Sequence, residues 1–125
     1  MSEVLGLPNR ILGVDDEASW RRILSGVFDK TGYEWSINEN AGLAVAEIQS
    51  REHGLVVTDG LNGEWRRVAA AAQEVGAGAI LLSGDEAAVE SARAQGFIAA
   101  FNKGGREWST ALPEVIVSFF GRTQE

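Results

Sequence analysis

The sequence contains no cysteine and only one histidine, His53. Without cysteine there is no disulfide framework and no thiolate chemistry, as in proteins of a reducing compartment. A lone histidine excludes a multi-histidine metal centre within one chain. No apolar run reaches membrane-spanning length, and Met1 to Arg10 lacks the apolar core of a secretory signal. Positive charge is scarce as well: 11 Lys and Arg face 18 Asp and Glu, a formal net charge of −7. Binding to a nucleic-acid backbone requires clustered cations, so nucleic acid is not an expected partner. These absences lead to the expectation of a cytoplasmic protein with no membrane association.

The remaining composition is that of a globular domain, with 45% hydrophobic and 23% charged residues over 125 positions. That length supports one core and is too short for two ordinary domains. The expected division is a polar lead-in over 1–9, a domain over 10–121 and a short tail over 122–125.

Within the domain, strands and helices alternate. Arg10 to Val14, Tyr33 to Ile37, Leu55 to Thr58, Ala79 to Ser83 and Phe97 to Phe101 have strand character. Helical spacing covers Glu17 to Lys30, a segment from Asn38 or Asn40 to about Arg51, Glu64 to Val75, and Gly84 to Gln95. A last helix carries Leu112, Val115, Ile116, Phe119 and Phe120, and Pro113 places its expected start between Ser109 and Leu112. Five β-α repeats with short connections imply an α/β fold. Its expected form is a five-stranded parallel sheet in the order 2-1-3-4-5, doubly wound and flavodoxin-like, with helices on both faces.

In such a sheet the strand C-termini share one edge, where ligands bind. Asp15 and Asp16 follow the first strand, Asp59 the third, Ser83 the fourth and Lys103 the fifth. The third strand, Leu55-Val56-Val57-Thr58, is apolar until it ends on Asp59, and a buried strand does not continue into an unpaired charge. Three converging carboxylates repel and protonate unless a cation offsets them. A hard divalent ion with oxygen ligands, Mg²⁺ or Mn²⁺, meets that need. Lys103 adds a point charge for an anion and Ser83 a hydroxyl donor. Together these groups form a site for a phosphoryl group carried on Asp59 itself.

From about Arg10 to Phe120 the chain resembles the receiver domain of two-component response regulators. The acidic doublet Asp15-Asp16, the acceptor Asp59, the hydroxyl of Ser83 with the small Gly84 behind it, and Lys103 match that family's motif in order. The resemblance implies that Asp59 is the phosphoacceptor and that Ser83 and Lys103 bind the phosphoryl group. It also implies a metal held by Asp16, Asp59 and the backbone carbonyl of Leu61, with Asp15 acting mainly through ordered water. The implied partners are a sensor histidine kinase or phosphotransfer protein and a downstream protein target. No enzymatic activity is expected beyond the domain's own phosphoryl transfer and dephosphorylation.

Three positions depart from the family pattern. Asn62-Gly63 stands where Met-Pro is usual, and Gly104 follows Lys103 in place of proline. Ala100 occupies the position, three before Lys103, of the aromatic that moves inward on phosphorylation. The neighbouring Phe101 is sent to the other face by strand alternation. A receiver-like interaction module without phosphorylation-dependent switching is therefore the alternative. A phosphatase using Asp59 would need a second carboxylate two residues on, where Leu61 stands.

Among the remaining residues, His53 reads as a surface loop residue and Trp20 as core or core rim. Trp35, Trp65 and Trp108 read as half-buried covers. With no DNA-binding or catalytic segment after the last helix, output is expected through protein contact. Val117 and Trp108 suggest a homodimer or partner surface there.

Overall fold

The computed structural model describes Glu3, Val4 and residues 6–123, with side chains for residues 6–121. Residues 1, 2 and 5 of the lead-in and 124 and 125 of the tail lie outside the described residues. The lead-in is more than a polar approach. Strand β1 (Glu3–Val4) pairs antiparallel with β2 (Leu7–Pro8), and Leu7 is buried.

The domain then runs β3 (Arg10–Val14), α1 (Ala18–Thr31), β4 (Glu34–Asn38), α2 (Ala41–Gln49) and β5 (Leu55–Thr58). After a short 3₁₀ turn at Leu61–Gly63 come α3 (Trp65–Val75), β6 (Gly78–Ser83), α4 (Glu86–Ala94), β7 (Ala99–Asn102) and α5 (Glu107–Thr123). The large sheet is ordered β4-β3-β5-β6-β7, and every pairing is parallel. Counted from Arg10–Val14, this is the expected 2-1-3-4-5.

Alternation along the strands sorts the core into two layers. Leu55 and Val57 point with Ile11, Ile80, Leu82 and Phe101 towards Leu24 and Phe28 of α1 and Leu112, Ile116 and Phe120 of α5. Val56, Leu12 and Val14 point the other way, onto the small residues of α2 and α3. Leu81 and Ala100 continue that second face under Ala88, Val89 and Ala92 of α4. Fully burying one of these aliphatic side chains contributes about 1.5–3 kcal/mol, so the sheet is held from both sides.

Local chemistry sets the element ends. Asn40 caps α2 by accepting from the Leu43 amide at 2.9 Å, and Asp85 caps α4 by accepting from Ala87 at 3.0 Å. The αL glycines Gly32 and Gly76 close α1 and α3. Helix α2 stops at Gln49, short of the expected Arg51, because Arg51 itself turns left-handed at φ 62°. Strand β7 starts at Ala99 and not at Phe97, whose amide instead donates back to Ala92 of α4. Helix α5 starts at Glu107, earlier than the proline suggested, and carries Pro113 inside it. An interior proline costs about 3 kcal/mol, offset here by the fully buried Leu112, Ile116 and Phe120.

Helix α2 turns Ala41, Ala44 and Ile48 to the core and leaves Leu43 exposed. Contrary to the sequence reading, His53 is no surface residue: it is 3% exposed, with Nε2 2.8 Å from Ser36 Oγ. Ser36 in turn donates to Glu47 Oε2 at 3.2 Å. His53 Nδ1 is buried without a hydrogen-bond partner. Burial lowers the His53 pKa, against the opposing pull of Glu47.

A histidine held neutral in this way stabilises the fold above its unfolded pKa of about 6.5. That contribution is lost as the pH falls through the depressed folded value. Urea melts should therefore show declining stability below about pH 6.5, and the decline should be shallower in His53→Gln. A second expectation concerns Gly13, where an added Cβ would lie 2.8 Å from Phe28 Cε2 and 3.1 Å from Ile37 Cγ1. Overpacking of this kind costs about 1–3 kcal/mol, so the urea midpoint of Gly13→Ala should fall without a change in slope.

Candidate functional site

The edge formed by the C-terminal ends of β3, β5, β6 and β7 is where the polar residues gather. Asp59 continues β5 by one step, its amide donating to the Val14 carbonyl at 2.7 Å. Lys103 leaves β7 in the same way, its amide donating to the Ser83 carbonyl at 2.9 Å. These backbone bonds set the side chains before any side-chain chemistry acts. The Lys103 ammonium then donates to Asp59 Oδ1 at 2.7 Å and to Asp15 Oδ2 at 2.8 Å. It also lies 4.5 Å from the centre of the Trp20 ring, a cation–π contact.

The two members of the acidic doublet diverge. Asp15 is 1% exposed and turned onto Lys103, and its other oxygen accepts the Glu17 amide at 3.0 Å. Asp16 is exposed and borders an open cavity of about 470 Å³ that also reaches Asp59, Ser83 and Lys103. Burial raises the Asp15 pKa above the usual carboxylate value, and the neighbouring Asp59 charge adds to this, while hydrogen bonds from Lys103 and Glu17 oppose it. For Lys103, burial alone would lower the pKa. The hydrogen bonds and charges of Asp15 and Asp59 outweigh it, and the net shift is upward. Lys103 is thus a fixed cation.

Ser83 is buried, and its Oγ accepts the Asp85 amide at 3.1 Å. The hydroxyl proton stays available to a group in the cavity. Gly60 is the close neighbour that makes this arrangement fit, since a Cβ there would stand 2.7 Å from Ser83 Oγ. Leu61 donates its amide to Asp59 Oδ2 at 3.0 Å and accepts the Glu64 amide on its carbonyl at 3.1 Å. One lone pair of the carbonyl expected to meet a metal is therefore already engaged, and the other is not. Leu61 and Asn62 both have left-handed backbones, with φ of 50° and 54°.

Acidic groups outnumber cations here. Asp16, Glu17, Asp59 and Asp85 border the cavity against Lys103 and Arg66. Ligand oxygens of Asp15, Asp16 and Glu17 lie within 4.8 Å of one another. This all-oxygen, negatively charged donor set suits a hard divalent cation and not a soft one.

Gly104, in place of proline, uses the amide that proline lacks to donate to Asn102 Oδ1 at 2.8 Å. Asn102 also donates to Glu86 Oε2 at 2.7 Å, fastening this loop to the start of α4. Ala100 is buried on the α4 face and Phe101 on the α5 face, as alternation requires. Ala100 lies away from the cavity, and its carbonyl accepts from Arg93 at 2.8 Å.

Two aromatics at this edge were read from sequence as packing residues and not as part of the site. Trp20 lies on Lys103. Trp65, expected as a half-buried cover, is 2% exposed, borders the cavity and shares an apolar cluster with Ala100, Leu81 and Ala88. The signal available for Trp65 was the small residue at 100, which requires a large one elsewhere to fill the layer.

Replacing Lys103 with Met removes the cation that Asp15 and Asp59 share. Breaking a buried pair costs about 3–5 kcal/mol, and about 3 is expected because the Lys103 tip borders an open cavity. In the variant the Asp15 carboxyl pKa, already raised by burial, rises further without the Lys103 hydrogen bond, so stability should recover as the pH is lowered from 7 towards 4 and that carboxylate protonates. Urea melts across that range check both the loss and its sign.

No family model matches the sequence, and no curated protein matches it. Solved structures do. A CheY-like response regulator receiver domain protein from Methanospirillum hungatei JF-1 is 25% identical, with TM-score 0.74 over 92% of this chain and 95% of that one. The response regulator TrrA from Thermotoga maritima, solved in complex with Mg²⁺-BeF, is 23% identical, with TM-score 0.70 over 85% and 97%. The beryllofluoride-activated NtrC4 receiver domain, a dimer in solution, is 19% identical, with TM-score 0.73 over 90% and 98%. Five parallel strands in this order, covered by helices on both faces, give the chain the fold of the CheY-like response regulator receiver domains.

Proposed function

We propose that the chain is a phosphoaccepting receiver of a two-component or phosphorelay system. The observation that carries this reading is the Lys103 ammonium held 2.7 Å from Asp59 and 2.8 Å from Asp15 at the mouth of a cavity that also reaches Ser83. A carboxylate oxygen of Asp59 attacks the phosphorus of a phosphohistidine on a partner kinase or phosphotransfer protein. The new P–O bond forms as the P–N bond breaks, and the electron pair leaves on the imidazole nitrogen, which takes a proton from solvent. Lys103 offsets the charge of the transferred group, and the Ser83 hydroxyl donates to one of its oxygens. Asp15, buried behind Lys103, holds the ammonium in place.

Mg²⁺ or Mn²⁺, bound by Asp16, Asp59 and the free lone pair of the Leu61 carbonyl with Asp15 acting through water, would supply positive charge to the phosphoryl oxygens. The chain's turnover is limited to its own phosphorylation and dephosphorylation, and its output is contact with a downstream protein. A homodimer through α5 is one form of that contact, as Val117 is exposed there. Among the described residues no helix is long and apolar enough to cross a membrane, which fits the cytoplasmic setting of this reading.

Ala100 favours a second reading, an interaction module whose partner affinity does not depend on phosphorylation. Equal affinity for a partner with and without a phosphoryl mimic would select it.

The primary test is intact mass after incubation with a small phosphodonor and Mg²⁺. One added phosphoryl group is expected on the wild type and none on Asp59→Asn. An unmodified wild type, or an equal adduct on the variant, would reject the reading.

A further inference from the structure

If Asp59 accepts a phosphoryl group, some element must register it, and Ala100 carries no side chain able to do so. We propose that Trp65, the first residue of α3, is that element. It would carry the state of Asp59 to the face built by α4 and β7, an inference that rests on the phosphoacceptor reading above.

Three observations place Trp65 between the two regions. Trp65 lines the cavity that contains Asp59 and Ser83. It is 2% exposed and belongs to the apolar cluster of Leu81, Ala88, Val89, Ala92 and Ala100. Its ring also meets Phe97 edge-on, with centroids 5.6 Å apart, at the entry to β7. A small residue at 100 and a large one at 65 fill one layer between them, so displacing the large one must disturb the small one.

The loop between Asp59 and Trp65 supplies the coupling. The Leu61 amide donates to Asp59 Oδ2 at 3.0 Å, and the Trp65 amide donates to the Gly60 carbonyl at 3.3 Å. Between them, Leu61 and Asn62 are held at left-handed φ of 50° and 54°, conformations unfavourable to residues with a Cβ. A hydrogen bond to a charged carboxylate is roughly twice as strong as one to a neutral acceptor. Conversion to an acyl phosphate removes the carboxylate charge and weakens the bond that holds Leu61 in this geometry. The loop then relaxes, and the Gly60–Trp65 hydrogen bond passes that movement to the start of α3.

Arg66 acts in the same direction. Its guanidinium lies 4.4 Å from the centre of the Trp65 ring and donates to Ser91 Oγ at 3.4 Å, and the residue lines the same cavity. An arriving phosphoryl dianion competes with the ring for that cation.

The test uses the full chain labelled with 5-fluorotryptophan and with ¹³C-methyl alanine, in excess phosphoramidate and Mg²⁺. One sample is read by intact mass and by NMR, and the four tryptophan signals are assigned by single Trp→Phe variants. The expected result is one phosphoryl adduct, a Trp65 shift larger than that of Trp35, and movement of the Ala100 and Ala88 methyl signals. In Trp65→Phe, confirmed as folded by its melt, the adduct should persist and the alanine shifts should fall to less than half. An adduct with unmoved Trp65 or alanine signals in the wild type overturns the role of Trp65 and leaves the phosphoacceptor reading standing. Alanine shifts undiminished in a folded Trp65→Phe do the same. Absence of an adduct overturns both.

Discussion

One ammonium group joins three strand ends. Lys103 follows β7, Asp59 follows β5 and Asp15 follows β3, and the two hydrogen bonds that connect them span 44 and 88 residues of sequence. Carboxylates at this spacing would otherwise repel across a partly dry edge, where screening by water is weakest. The lysine removes that repulsion and is itself kept charged by the groups it serves. The contact depends on the sheet order, because only adjacency of β3 to β5, and of β6 to both β5 and β7, brings these ends into reach. The rest of the edge is arranged around it: Trp20 covers the lysine, Asp16 is left to solvent and Ser83 borders the open side.

Much of this was legible in the chain because it follows from short-range rules. The order of elements, the two-faced burial of Leu55 to Thr58 and the opposite facing of Ala100 and Phe101 all come from periodicity. The gathering of Asp15, Asp59, Ser83 and Lys103 at one edge follows from strand polarity. What was not legible depends on pairs distant in sequence. His53, a loop residue as expected, was read as exposed because its local context is polar, yet Ser36 on the edge strand and Glu47 on α2 enclose it. The start of α5 was misplaced because proline is a local signal, and the apolar stripe that overrides it packs against β-strands far upstream. Trp65 was read as only half-buried because its full burial is tied to a residue on β7, 35 positions further on.

The layer under α4 shows how composition at one position is tied to another. An alanine-rich helix and an alanine on the adjoining strand leave room that an indole fills with Phe97 edge-on against it, so this side of the domain depends on one fully buried aromatic where the α5 side has several. Packing of that kind is sensitive to small movements of that aromatic and insensitive to most surface changes around it. The same indole sits at the end of the loop that starts from Asp59. Stability of the layer and geometry of the cavity are therefore not independent properties of this chain.

Gly60 shows the reverse case, in which a missing atom matters. Its Cα faces Ser83 so closely that any side chain would collide with the Ser83 hydroxyl. For a chain diversifying over generations, this makes the loop unequal along its length. The exposed Asn62 and Gly63 can exchange for other turn formers, while a single added methyl at 60 would push Ser83 away from the edge. Drift in this segment is therefore channelled away from the residue beside the acidic strand end, and the shape of the cavity can outlast wide change in the sequence around it.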